Sequence, residues 1–169
     1  MGYASLLIKA TFYPQRFWAK QAPKLKQSAT WQFLIITLVL EHLLSIIVNL
    51  LQSQKLSLMF VKVSELIFII PLSVVGAVIF TMVIYFIARA QGGRANFHQT
   101  LMAVIFSSGP MILLLMDRIG NLALGYQILL LIYALNQVHK FNFLKALTTV
   151  LIPALVILVA ARSLGLWQS

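Results

Sequence analysis

The amino-acid sequence predicts an all-α fold: a polytopic transmembrane helical bundle of five spans, preceded by an amphipathic interfacial segment. Three observations carry this expectation. Of 169 residues, 61% are hydrophobic and 9% charged, too little polar surface to cover a water-soluble globule of this size. Apolar windows recur at the length a membrane demands, about 20 residues per helix for a hydrocarbon core roughly 30 Å thick. The apolar runs are also continuous, whereas a barrel strand alternates apolar and polar residues over about 10 positions.

The five windows run from Trp31 to Leu51, Leu66 to Ala88, His98 to Met116, Ile119 to Val138 and Leu144 to Leu164. They divide the chain into an N-terminal segment, residues 1–30, and a membrane domain, residues 31–169. The N-terminal segment mixes Phe12, Tyr13, Phe17 and Trp18 with Arg16, Lys20, Lys24 and Lys26, a pattern suited to a helix lying on anionic lipid. Pro14 fits the first turn of that helix and Pro23 its end. No small-residue cleavage pattern follows the first window, which is therefore read as a retained span rather than a signal peptide. Gln52 to Ser64 is expected to be an external connector, with Lys62 and Glu65 spaced to pair on a helix surface. Asp117 and Arg118 mark a short hairpin that would set the third and fourth helices antiparallel.

The basic residues partition unevenly about these windows. Lys9, Arg16, Lys20, Lys24, Lys26, Arg89, Arg94, Lys140 and Lys145 fall on one side, against Lys55, Lys62, Arg118 and Arg162 on the other. The positive-inside rule then puts the N-terminus in the cytoplasm and the C-terminus outside. A net charge of +10 spread over helix ends fits membrane orientation better than nucleic-acid binding, which gathers cations on one face. Arg16, Lys20, Arg94, His98, His139, Lys140 and Lys145 are the candidate contacts for an anionic lipid headgroup or an acidic partner segment.

Inside the windows, Pro71, Pro110 and Pro153 free the carbonyls of Ile67, Phe106 and Thr149 from their helical partners. Ser107, Ser108 and Gly109 beside Pro110, and Thr148 and Thr149 before Pro153, are expected to let the helices bend while hydroxyls serve the freed backbone. Glu41 and His42 lie mid-span, where an ionised side chain costs about 2.5 to 3.5 kcal/mol on insertion scales. Neighbouring helical residues diverge by about 100°, so each needs partners elsewhere. Ser107, Ser108, Tyr126, Tyr133 and Gln137 are the candidates, the last three at a spacing of seven and four that puts them on one helix face.

Catalytic and metal patterns are not evident. There is no cysteine, no H-E-x-x-H, no G-x-S-x-G elbow and no Walker-type loop, and Gly92-Gly93 is too short to cradle a nucleotide. The expected topology separates His98 and His139 from Glu65 and Asp117, so no metal site is expected, and no cofactor or catalytic residue is assigned.

A longer constellation runs through the second half. Arg89 ends an aromatic-rich helix; Gly92-Gly93 follows, then Phe97-His98-Gln99-Thr100-Leu101 and Phe106-Ser107-Ser108-Gly109-Pro110. Leu135 to His139, Lys145-Ala146 and Pro153 complete it, with Tyr13-Pro14-Gln15-Arg16-Phe17 upstream. This order resembles the bacterial branch of the YIP1 family of five-span membrane proteins, with Gly92, Gly93, Phe97, Gln99, Pro110 and Pro153 as structural motif positions. Phe106 stands where the family often has tyrosine, and Ala134 where it often has glycine. The resemblance implies a cytoplasmic N-terminus, five spans and an external C-terminus, agreeing with the charge distribution, and it implies no reaction. Eukaryotic relatives are associated with trafficking and small GTPases, a role not carried over to this shorter chain.

The function expected is non-enzymatic. The chain would sit in a bacterial inner membrane and work through helix-helix and lipid contacts, as a homo-oligomer or with another membrane protein, its basic face holding anionic lipid. The alternative is a small transporter or proton- or cation-conducting protein using Glu41, His42 and the polar kink near Pro110.

Overall fold

The computed structural model describes residues 2–53, 57–110 and 120–163, with side-chain surroundings left out at 49–66, 120–121, 157–158 and 160–161. The helices, in chain order, are α1 (Tyr3–Phe12), α2 (Pro14–Arg16), α3 (Gln27–Ser53), α4 (Ser57–Ala90), α5 (Phe97–Ser107), α6 (Gly120–His139) and α7 (Phe143–Ser163). A π-helical turn, Phe17–Gln21, and a 3₁₀ turn, Ala22–Lys24, link α2 to α3. No strand occurs among the described residues. The chain is an all-α helical membrane bundle.

α3, α4, α6 and α7 lie on the expected first, second, fourth and fifth windows. Three helical stretches are long and apolar enough to cross a bilayer: Gln27–Val48, Ile67–Ala90 and Leu122–His139. Phe97–Ser107 and Phe143–Val156 are shorter apolar stretches.

Three expectations change. The third window does not form one helix across Pro110, because α5 stops at Ser107. Ser107 Oγ donates to Ala103 O at 2.6 Å and Ser108 Oγ to Ile105 O at 2.7 Å, so neither hydroxyl serves the Phe106 carbonyl. Proline without an N–H, preceded by glycine, ends the helix here instead of kinking it. Residues 111–119, including Asp117 and Arg118, lie outside the described residues. Near Pro153 likewise, Thr148 and Thr149 donate to Lys145 O rather than to the Thr149 carbonyl.

Secondly, the connector from Gln52 to Ser64 is largely helical, α3 running to Ser53 and α4 beginning at Ser57. Thirdly, the N-terminal segment packs on the bundle. Phe17 is 0% and Trp18 6% exposed, while Phe12 and Tyr13 stay open. Aromatic rings favour the interface, but they bury still more area where a helix offers them a surface.

That surface is α5, the central helix, seven of whose eleven residues are buried. It packs against α3, α4 and α6, with α1 laid along it. Phe106 is the hub: its ring lies 5.0 Å from Phe17 and 4.4 Å from Phe33, which in turn meets Tyr3 at 5.0 Å. Gly109 lets α1 approach, since a Cβ there would stand 2.8 Å from both Leu7 Cδ1 and Thr11 Oγ1. Tyr126 of α6 closes the contact by donating to Thr11 O.

Candidate functional site

Two places gather the residues expected to matter. The first is a cavity of about 380 Å³ between α3, α4, α5 and α6. Glu41 and His42 line it together with Ser107 and Ser108, joined by Thr37, Ser73 and Gln127. Helix spacing explains the set: Thr37 and Glu41 are four apart on α3, and on α4 Gly76 and Ala77 lie three and four residues after Ser73, with Phe80 three after Ala77. Glu41 and His42 diverge around α3, yet both reach the cavity wall from partly buried positions.

Hydrogen bonds fix the polarity of the lining. Thr37 Oγ1 donates to Phe33 O at 2.8 Å and lies 3.1 Å from Tyr3 Oη. With the threonine proton committed, the tyrosine is the donor in that pair. His42 Nδ1 lies 2.8 Å from Leu38 O, and a carbonyl only accepts, so Nδ1 carries the hydrogen and Nε2 presents a lone pair in the neutral ring. Gln127 Oε1 is buried without a hydrogen-bond partner.

Tyr126, Tyr133 and Gln137 do not belong to this cavity. Tyr126 is turned to Thr11, Tyr133 packs on the hydrophobic core, and Gln137 Nε2 donates to Asn136 Oδ1 at 3.2 Å. Their shared helix face is the one next to the face that Gln127 and Leu131 present to the cavity, so sequence reasoning found the right helix and missed its orientation. Thr37, Ser73 and Gln127 were missed because a lone hydroxyl or amide in an apolar helix carries little signal. Thr37, one turn before Glu41, could have been found by that spacing.

The second place is one end of the bundle, where α4 turns into α5 and α6 into α7. Gly92 adopts φ 86°, Gly93 N–H donates to Ala88 O at 2.8 Å and Gly92 N–H to Arg89 O at 3.0 Å, a Schellman closure of α4. Asn96 then caps α5: its side chain accepts from Gln99 N–H at 2.9 Å, while Gln99 Oε1 accepts from Asn96 N–H at 3.0 Å. α6 closes similarly, with Phe141 N–H donating to Asn136 O at 3.2 Å past Lys140, held at φ 58°.

His139 sits inside this junction. It is 1% exposed, stacked on Phe141 with ring centroids 5.1 Å apart. Thr100 Oγ1 donates to Asn96 O at 3.0 Å, so His139 Nε2–H is the donor to that hydroxyl across 2.9 Å. Nδ1 is left as a buried acceptor with no partner. His139 therefore leaves the group of expected headgroup contacts, because its ring is enclosed. Arg16, Lys20, Arg94 and Lys140 are exposed, and Lys145 Nζ donates to Gln91 O at 3.0 Å, tying α7 to the end of α4. His98 is partly buried. The motif positions divide their work accordingly: Gly92, Gly93 and Gln99 build the turns, Phe97 meets the Tyr85 ring at 5.9 Å, and Pro153 faces a groove against α4. Among the described residues, no three His, Asp or Glu side chains come together as a metal site.

The fold and these junctions define a membrane-embedded helical protein built around a short central helix. Within that class the chain belongs to the Yip1 family, the Yip1 domain matching residues 8–163. No curated protein and no solved structure matches it significantly.

Proposed function

We propose that this Yip1-family chain is a non-enzymatic protein of the bacterial inner membrane that acts through helix-helix and lipid contacts, as a homo-oligomer or an accessory subunit. The observation that carries the reading is the outer face of α4. Ile67 and Phe68 are 72% and 78% exposed, with Leu72, Val75, Ile79 and Phe86 continuing the exposed apolar surface along the helix. Beside it, Gly76, Val83, Ile87 of α4 and Ile152, Pro153 of α7 line a groove of about 380 Å³. A small residue at the base of an apolar groove suits a closely approaching helix or an acyl chain. Five crossings, a cytoplasmic N-terminus and anionic lipid on the basic end complete the proposal, supported by the basic-residue distribution.

The test is extraction in native lipid particles, followed by mass measurement and identification of what copurifies. A discrete complex, either of several copies or with one stoichiometric membrane protein, is the expected result. A monomer with bulk lipid alone refutes the proposal, and a self-oligomer alone refutes the accessory-subunit form.

A second reading, transport, is favoured by one observation: Glu41, His42, Ser107 and Ser108 line a common cavity. Under it, Glu41→Gln abolishes proton or cation flux in proteoliposomes. Under the contact reading, the reconstituted wild-type protein conducts nothing above empty liposomes, and Glu41→Gln leaves assembly intact.

A further inference from the structure

The cavity between α3, α4, α5 and α6 has a bias that the contact and transport readings do not use. Three of its four hydroxyls have spent their protons. Thr37, Ser107 and Ser108 each donate to a carbonyl of their own helix, on Phe33, Ala103 and Ile105. His42 spends its Nδ1–H on Leu38 O. What these four side chains can offer inward is lone pairs. Glu41 has an acceptor oxygen whether or not it is protonated, and Gln127 Oε1 is already buried without a donor. Ser73 and Gln127 retain donors, but the balance of the lining is toward acceptors. Leu34, Leu38, Phe80, Val104 and Leu131 supply apolar wall.

An acceptor-rich, apolar chamber is matched by a molecule that brings hydrogen-bond donors into an otherwise greasy environment. A buried acceptor left without a donor loses its hydration with no return, so the donor is where selectivity arises. We propose that this cavity is a binding site for a membrane-soluble amphiphile with an N–H or O–H donor head, an ammonium or a hydroxyl, on an apolar body. Glu41 is the side chain that distinguishes the two heads, because a carboxylate gains more from an ammonium than from a hydroxyl. The inference concerns binding alone and holds whether or not anything is conducted.

Three probes sharing one tail test it: oleylamine, oleyl alcohol and methyl oleate, whose ester offers acceptors only. Each is equilibrated with the full chain in phosphatidylcholine nanodiscs, and retention is read by native mass spectrometry. The amine and the alcohol are expected to be retained, and the ester about tenfold more weakly, the loss set by one unmet hydrogen bond. Glu41→Gln is expected to weaken oleylamine about tenfold more than it weakens oleyl alcohol. Ala77→Leu fills the chamber and removes both. Gln127→Leu, nearly the same size, lowers both and keeps the test decisive where the larger substitution disturbs folding. Equal retention of the ester, indifference to both cavity variants, or no retention of either donor probe overturns the proposal. Because no gradient is applied, loss of retention and loss of flux are separate results, and neither depends on the oligomeric state.

Discussion

Gly93→Ala tests whether the junction between α4 and α6 is as tight as its geometry requires. A Cβ at this position would stand 2.8 Å from Ala88 O and 3.0 Å from Phe141 Cζ, and would press directly on His139 Nδ1. The Ala88 carbonyl is main chain and already holds the Gly93 N–H, so it cannot yield without opening the closure of α4. Relief must come from His139, whose ring is pinned by Thr100 on one side and Phe141 on the other. Overpacking of this kind costs about 1 to 3 kcal/mol, and losing the Thr100 to His139 hydrogen bond adds about 1 kcal/mol. The neighbouring Gly92→Ala is the control: nothing lies within 4 Å of its Cβ, so only the left-handed backbone penalty of about 1 to 2 kcal/mol applies. The assay is unfolding of the full chain in mixed micelles with increasing sodium dodecyl sulfate, followed by far-ultraviolet circular dichroism. A second arm adds His139→Ala to Gly93→Ala, which removes the colliding ring but not the Ala88 carbonyl. The double variant should recover part of the loss, the two sites coupling as contacting residues do. Gly93→Ala unfolding within about 0.5 kcal/mol of the parent, the range of an ordinary surface substitution, would refute the close-packing argument.

The same junction and core yield three further expectations. Lys140 pays for a left-handed backbone with a side chain that is exposed, so Lys140→Gly should raise stability by about 1 kcal/mol in the same titration. Thr100→Val strands the His139 Nε2–H and should cost about 1 to 3 kcal/mol, read by the same unfolding curve and by a shift of the His139 ring nitrogen resonance. Phe106→Ala empties the centre of the Phe17, Phe33 and Phe106 cluster and should cost about 3 to 5 kcal/mol, with quickened proteolysis of the N-terminal segment.

Helix positions were legible because a membrane helix must be apolar along its whole length, and α3, α4, α6 and α7 duly lie on the apolar runs. The exception, α5, shows where that signal stops. Its apolar window continues past Pro110, but the Ser107 and Ser108 hydroxyls turn back onto earlier carbonyls and the helix ends. Hydropathy measures how readily a segment leaves water, not whether its backbone stays helical. The packing of the N-terminal segment was not legible for a related reason: an aromatic residue beside a lysine reads the same whether it meets headgroups or another helix. His139 looked like one more basic group in a polar run, because sequence does not reveal that Thr100 and Gly93 close over it. Glu41, Ser107 and Ser108 line one cavity, since polar side chains in an apolar bundle have few other places to go.

The short central helix explains why the chain needs residues 3–24 packed against it. Eleven helical residues span about 16 Å, roughly half of a hydrocarbon core about 30 Å thick. Yet α5 buries Thr100, Leu101, Met102, Ala103, Ile105, Phe106 and Ser107, with α3, α4 and α6 packed on part of that surface. The remainder is supplied by its own chain: Phe17 against Phe106, Trp18 and Pro23 in a recess with Gln99 and Met102, and Leu7 and Thr11 against Gly109. The same segment supports the cavity, since Tyr3 donates to Thr37 in its wall. A basic tail that only set orientation could be removed without consequence for the helices. Deleting residues 2–24 here uncovers an aromatic cluster and the closed side of α5, so the bundle should lose its cooperative unfolding and bind the donor amphiphiles no better than methyl oleate. Circular dichroism and retention measurements on the truncated chain decide between these cases: an unchanged unfolding transition would mean that the N-terminal packing contributes nothing to the fold.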